Sequence, residues 1–248
     1  MWGRFFLARI SPPAIWGRLP AHADFVRSGV RHREAEAWEG WLRAVQPAPS
    51  EAPPDGLGVT RAGIAGLPIA FVLPAASLGL GAGGAVLGAM VASQDKVGRQ
   101  HPLIVYRRAS RQWLVRHFSQ ADGGALGWQW MLARLLARRT RSDAGCTLSL
   151  LAEEVEDQWR LWSGGSGRSP GQVRPPVPET TAMHPGTDGE VLADDPAASL
   201  HGVQHLPWPD WPQRLHGAQP RAAFWQQDAH GRIVMAAERL QPLWKVAS

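Results

Sequence analysis

The stretch that decides the fold is Ala85–Tyr106, AVLGAMVASQDKVGRQHPLIVY. Two apolar runs flank a polar loop in which Asp95, Lys96, Gly98 and Arg99 fall within five residues. Each run is too short to cross a membrane and long enough to be a buried strand. The loop has the composition of a tight turn: Gly98 can take positive φ, and Pro102 opens the return strand. The pattern is a buried hairpin with a charged tip.

The glycine-rich GLGAGG from Gly79 is a turn that feeds this hairpin, and Leu67–Leu73, bounded by Pro68 and Pro74, reads as a further strand. Nearer the N-terminus, IWGRLPAHADFVRSGV (Ile15–Val30) has the same character as the hairpin, with extended pieces at Ala14–Leu19 and Phe25–Val30 interrupted by Arg18, Pro20, Asp24 and Arg27. Arg31–Val45 places Ala35, Trp38, Trp41, Leu42 and Val45 at helical spacing. The Pro- and Gly-rich run Pro47–Gly58 ends that helix as a loop. Gly124–Arg139 and Leu148–Trp162 are two more helices. The first has basic residues at its C-terminal end and the second an acidic face of Glu153, Glu154, Glu156 and Asp157. Apolar content then falls, and residues 163–198 read as a mobile insertion. In Ala222–Leu240, Phe224-Trp225 and Ile233-Val234-Met235 form two strands around an Asp-x-His-Gly turn. The expected architecture is α+β: a largely antiparallel central sheet with helices packed against it in α/β/α layers. One domain over 1–248 is expected, without internal repeats.

With 44% hydrophobic residues, the 248-residue chain can bury a sizeable core. Its single cysteine, Cys146, excludes an internal disulfide and suits a reducing compartment. The opening MWGRFFLARISPPA is too short and too interrupted for a signal peptide, and no run is long enough to span a bilayer, so a cytoplasmic location is expected. The net charge of +5 is unevenly spread. Residues 1–142 hold 18 Lys+Arg against 8 Asp+Glu, and residues 143–248 hold 8 against 13. The basic part can attract nucleic acid, through Arg107, Arg108, Arg111 and Arg116, or pair with the acidic part of its own chain. Only Lys96 and Lys245 are lysines, which points to coding bias more than to a binding surface.

Several patterns bear on chemistry. Gly79, Gly81 and Gly84 satisfy G-x-G-x-x-G, but a short apolar run follows and the nearest acid, Asp95, comes too soon, so a plain turn is the better reading. A phosphate-binding G-x-x-x-x-G-K-[ST] loop is missing. His201, His205 and His216 lack an H-E-x-x-H context, and prolines follow Leu206. His22 and Asp24 can form an acid/base pair, and His101 can approach Ser93 and Asp95 across the hairpin. Trp208 and Trp211, in LPWPDWPQ, can sit at an exposed recognition edge. The residues singled out as a site are Arg18, Asp24, Asp95, Lys96 and Arg99. In one reading Asp95 accepts turn amides while Arg99 pairs with Asp24 or Asp95 to hold the two blocks together. In the other, Arg18, Asp24, Lys96 and Arg99 form an exposed surface that docks a partner.

Two spaced motifs resemble the TagF (ImpM) family of bacterial type VI secretion. Gly17, Arg18, Leu19, Pro20, Asp24, Phe25 and Val26 match its G-[KR]-L-P-x-x-G-D-F-V stretch. Trp38, Trp41 and Leu42 match its Trp-rich helix. Ser93, Asp95, Lys96, Val97, Gly98, Arg99, Pro102 and Leu103 match its P-S-x-D-[RK]-V-G-R-x-[FH]-P-L block. Ala23 stands where the pattern has Gly, and Ala92 where it often has Pro. The resemblance implies a cytoplasmic accessory protein that is not an enzyme. It would act after translation as a repressor by binding a forkhead-associated scaffold protein, with Arg18, Asp24, Asp95, Lys96 and Arg99 as candidate partner-binding residues. No cofactor, catalytic residue, metal ligand, nucleic acid or membrane insertion is expected. Two other classes remain open from the residues: a nucleotide- or metal-dependent hydrolase using the Gly79 loop and His22/Asp24, and a basic nucleic-acid binder.

Overall fold

The computed structural model describes residues 9–45, 67–81, 83–118, 124–141, 145–164 and 206–244. In chain order the elements are β1 (Ala14–Gly17), β2 (Val26–Ser28), α1 (His32–Val45), β3 (Ile69–Pro74), β4 (Gly84–Val91), β5 (Leu103–Ser110), α2 (Arg111–Phe118), α3 (Gly124–Arg139), α4 (Leu148–Gly164), β6 (Ala223–Gln227) and β7 (Ile233–Ala237). The seven strands form one sheet in the order β2-β1-β5-β4-β3-β6-β7, every neighbouring pair antiparallel. The expected hairpin is the β4–β5 pair, in register from Gly84↔Ser110 to Val91↔Leu103.

The strands of that hairpin show no polar alternation because both faces of the sheet are covered. Ala85, Leu87, Ala89, Val91, Leu103 and Val105 join one core with Leu114 of α2, Leu132 and Leu136 of α3, and Leu151 and Val155 of α4. Val86, Met90, Ile104 and Tyr106 point the other way, into a second core closed by Trp38 and Leu42 of α1. The result is the expected α+β fold in three layers.

α1 takes its place because its apolar residues recur on one face. Trp38 lies 5.6 Å from the Phe71 ring and 5.3 Å from Tyr106. Glu34, in the first turn, accepts from the Arg31 backbone N–H at 3.3 Å, from Tyr106 Oη at 3.1 Å and from Arg108 Nη1 at 2.9 Å. Burial, together with the neighbouring Glu34 carboxylate, pushes the Tyr106 hydroxyl pKa well above its ordinary value.

Three expectations need correction or bounding. α2 follows β5 without a break, where no helix was expected. Trp208 and Trp211 do not form an exposed edge: both are partly buried against the first core, Trp211 lying 6.0 Å from the Trp225 ring and Trp208 beneath the Arg214 guanidinium. Of the expected insertion, Ser163 and Gly164 close α4 and the rest lies outside the described residues, as does the Pro47–Gly58 loop. No helix among the described residues is long and apolar enough to cross a membrane.

Candidate functional site

The two motif-bearing segments meet at the end of β1. Gly17 has φ of +136°, and a Cβ there would run into the Pro102 carbonyl oxygen, so only glycine lets β1 lie this close to the start of β5. Leaving Gly17, the chain turns Arg18 toward the tip of the β4–β5 hairpin. Asp95 waits there with its side chain wholly buried.

Asp95 organises the tip. Its Oδ1 accepts the backbone N–H groups of Val97 at 3.0 Å and Arg99 at 2.9 Å. Its Oδ2 accepts Arg99 Nε at 2.7 Å and Arg18 Nη1. Four donors converge on one carboxylate, two of them charged, which is how a buried Asp is accommodated. Backbone bonds Asp95 N–H to Arg99 O (3.1 Å) and Gly98 N–H to Asp95 O (3.0 Å) close the turn. Gly98 holds φ of +87°, as the turn chemistry requires.

The Leu19–Phe25 loop is strapped onto this tip at several points. Ser93 Oγ donates to Arg18 O at 2.8 Å, Lys96 N–H to His22 O at 2.8 Å, and Arg99 Nη2 to Ala23 O. On its far side, His22 Nε2 accepts the Leu148 N–H at the start of α4 at 3.0 Å. Thr147 Oγ1 accepts the Leu150 N–H, so the two side chains together cap α4.

Of the five residues singled out from the sequence, Asp95, Arg18 and Arg99 are brought into direct contact. Arg18 is only 12% exposed and faces inward, whereas the Arg99 side chain is half exposed and its Nη2 approaches Asp24 Oδ1 at 3.6 Å. Asp24 is 94% exposed, and the Lys96 side chain points to solvent. The block therefore has a buried clamp, Arg18–Asp95–Arg99, and an exposed rim of Asp24, Lys96 and Arg99.

Next to the clamp stands an aromatic cluster. His101 packs edge-on to Trp16 (4.7 Å) and Phe25 (4.6 Å), and Arg18 Cζ lies 4.4 Å from the Phe25 ring centroid. The His101 Nδ1–H donates to Pro102 O at 2.8 Å. Burial holds the His101 pKa below the ordinary histidine value, and the Arg18 charge acts in the same direction. Phe25 and Val97 carry exposed apolar surface here, and neither was singled out from the sequence. For Val97, an apolar residue at the centre of a charged turn was the available signal.

The groupings considered for catalysis do not converge. His22 addresses α4 while Asp24 turns outward beside Arg99. Ser93 Oγ is bonded to a backbone carbonyl, and the His101 ring faces Trp16 and Phe25. Gly79 ends a 3₁₀ turn over Ala75–Leu78, and strand β4, not a helix, follows the glycines. Among the described residues no cluster of His, Cys, Asp and Glu has a metal-binding arrangement; His201 and His205 lie outside them. The basic residues are also divided. Arg107 is buried on the first face, its Cζ 3.8 Å from the Trp159 ring and its Nη2 bonded to Glu156 at 3.3 Å, and burial lowers its pKa to about 10. Arg108 reaches Glu34 on the opposite face. Arg139 pairs with Glu154. Much of the charge asymmetry is thus spent within the chain.

No curated protein sequence matches this chain. The protein is similar to PA0076 from Pseudomonas aeruginosa PAO1, whose crystal structure was determined at 2.05 Å resolution. The two share 21% identity over 94% of this chain and 90% of that one, with a TM-score of 0.46. Residues 14–149 match the TagF N-terminal domain, described as type VI secretion system-associated. That span is more than half of the chain and contains β1, the clamp, the hairpin and the start of α4. The chain belongs to the TagF family of type VI secretion-associated proteins.

Proposed function

We propose that this protein is a cytoplasmic accessory regulator of type VI secretion, which restrains the apparatus after translation by binding a forkhead-associated scaffold protein. The observation that carries the reading is the division of the motif block into a buried clamp and an exposed rim. The clamp fixes the two loops, and the rim leaves Asp24, Lys96 and the half-exposed outer part of Arg99, whose Nε is bonded to Asp95, open to a partner. A binding repressor needs no chemistry beyond this: occupancy of the scaffold competes with assembly in proportion to affinity and concentration.

The test is calorimetric titration of the full chain against the forkhead-associated scaffold of the same secretion system, paired with a secretion assay in the host. Binding and repression are expected, and both should weaken in Asp24→Ala and Arg99→Ala. If no binding occurs, or both variants fold and still repress fully, the reading fails.

A further inference from the structure

The clamped loops hold a ridge centred on Phe25 out of the core. Phe25 is 45% exposed and Val97 66%, though the backbones that carry them are tied down by the hydrogen bonds of Asp95, Arg99 and His22. Apolar side chains on a rigid surface are the anchors that interfaces use, because little ordering entropy remains to be lost on binding. Phe25 and Trp16 form the wall between two clefts. One, of about 500 Å³, continues past His22 to Leu148 of α4, and the other, of about 350 Å³, runs past His101 to Ala35 and Leu42 of α1.

The exposed carboxylates around the ridge each face an arginine. Arg43 pairs with Glu39 at 3.2 Å, and Arg99 approaches Asp24. Arg27, which lines the larger cleft, and Lys96, on the turn beside it, are both exposed, and neither has an ion-pair partner among the described residues. Unmatched cations flanking a mixed cleft, in which His22 and Arg27 lie beside Trp16, Phe25, Val26 and Leu148, favour a ligand with carboxylates on either side of an apolar side chain.

We propose that the Phe25 ridge docks an acidic peptide segment of the scaffold partner that carries one bulky apolar side chain. That side chain enters the larger cleft between Phe25, Trp16 and Leu148, and the flanking carboxylates meet Arg27 and Lys96. The proposal rests on the scaffold-binding reading above and assigns the surface through which it acts.

The test measures scaffold affinity by calorimetry for the full chain and for Phe25→Ala, Arg27→Glu and Lys96→Glu. The two charge reversals remove no bond of the clamp and are expected to leave the melting temperature unchanged. They therefore keep the test valid if Phe25→Ala fails to fold. Each reversal is expected to weaken binding about tenfold, and Phe25→Ala about thirtyfold, the size of an interface anchor. Raising the ionic strength should weaken the wild type and leave the double reversal little changed. If the wild type binds the scaffold and the folded reversals bind equally well, the ridge is not the docking surface and scaffold binding stands. If the wild type itself does not bind, both fall.

Discussion

Arg99 holds Asp95 twice, through its backbone N–H to Oδ1 at 2.9 Å and through its Nε to Oδ2 at 2.7 Å. The second oxygen also takes Arg18, 77 residues earlier in the chain. One buried carboxylate thus closes a five-residue turn and ties it to a distant loop. Asp95→Ala leaves two backbone donors and the largely buried Arg18 guanidinium without their acceptor, and is expected to cost about 3–5 kcal/mol. Asp95→Asn keeps the shape but loses the charge, and should fall between the two. Urea denaturation of the three proteins checks the order.

Two glycines of the block should respond differently to alanine. Gly17→Ala meets both a positive φ and the Pro102 carbonyl, and is expected to cost roughly 3 kcal/mol or more. Gly98→Ala keeps the positive φ, but a Cβ there would have no atom within 4 Å. Its cost should be near the intrinsic conformational penalty, about 1–2 kcal/mol. Thermal melts of both variants measure the difference.

Stability should fall as the solution is acidified below neutrality. Burial holds His101, His117 and His216 below the ordinary histidine pKa. As pH drops through the unfolded value of about 6.5, the unfolded chain gains protons that the folded chain refuses, so unfolding is favoured. The loss levels off only once pH has passed below the folded values. Melting temperatures from pH 8 to pH 5 should show this slope, and His101→Gln should make it shallower. A slope unchanged in that variant would remove His101 from the account.

Arg107 is held by packing as much as by charge. Its Cζ stacks on Trp159, while its partner Glu156 is 37% exposed and can be resolvated if the arginine is lost. Arg107→Met, which fills the space without a buried charge, is expected to stay within about 1.5 kcal/mol of the wild type. Arg107→Ala leaves a hole beneath α4 and should cost about 2–4 kcal/mol. Equal losses in the two would mean that the hydrogen bonds from Arg107 to Glu156 (3.3 Å) and to the Ser11 carbonyl (2.8 Å) dominate.

Asp24 stands at the other extreme. Its 94% exposed side chain and 3.6 Å contact with Arg99 predict a stability change within about 0.5 kcal/mol for Asp24→Ala. If the proposed repression is lost in that variant, the loss is then one of contact with a partner and not a folding defect. A melt alongside the secretion assay separates the two.

The central hairpin was legible because its two apolar runs leave room for little else than strands buried on both faces. α1, α3 and α4 showed themselves by spacing, with bounds within two residues of those observed. α2 was missed: RQWLVRHF is short, basic at both ends, and continues directly from a strand. Its signal was Ser110, whose Oγ accepts the Trp113 N–H at 3.3 Å as an N-cap does. In the site, the turn-capping role of Asp95 follows from local spacing. The Arg18–Asp95 contact does not, because nothing local fixes which distant cation reaches a buried carboxylate. Phe25 was legible only as a motif member, since an aromatic residue near a strand reads as core until the fold shows which side of the clamp it occupies.

The sheet is completed by strands far apart in the chain, β3 pairing with β6 from Ile69↔Gln226 to Val72↔Ala223. Chain-closure entropy grows only with the logarithm of the intervening length, so doubling the connection between α4 and β6 costs about 0.6 kcal/mol. The length of that connection can therefore change while the β6–β7 hairpin keeps its place, provided that Leu206, Trp208, Trp211 and Leu215 keep their contacts with the first core. Length added there bears on the β6–β7 edge of the sheet, and the motif block at the opposite end is insulated from it.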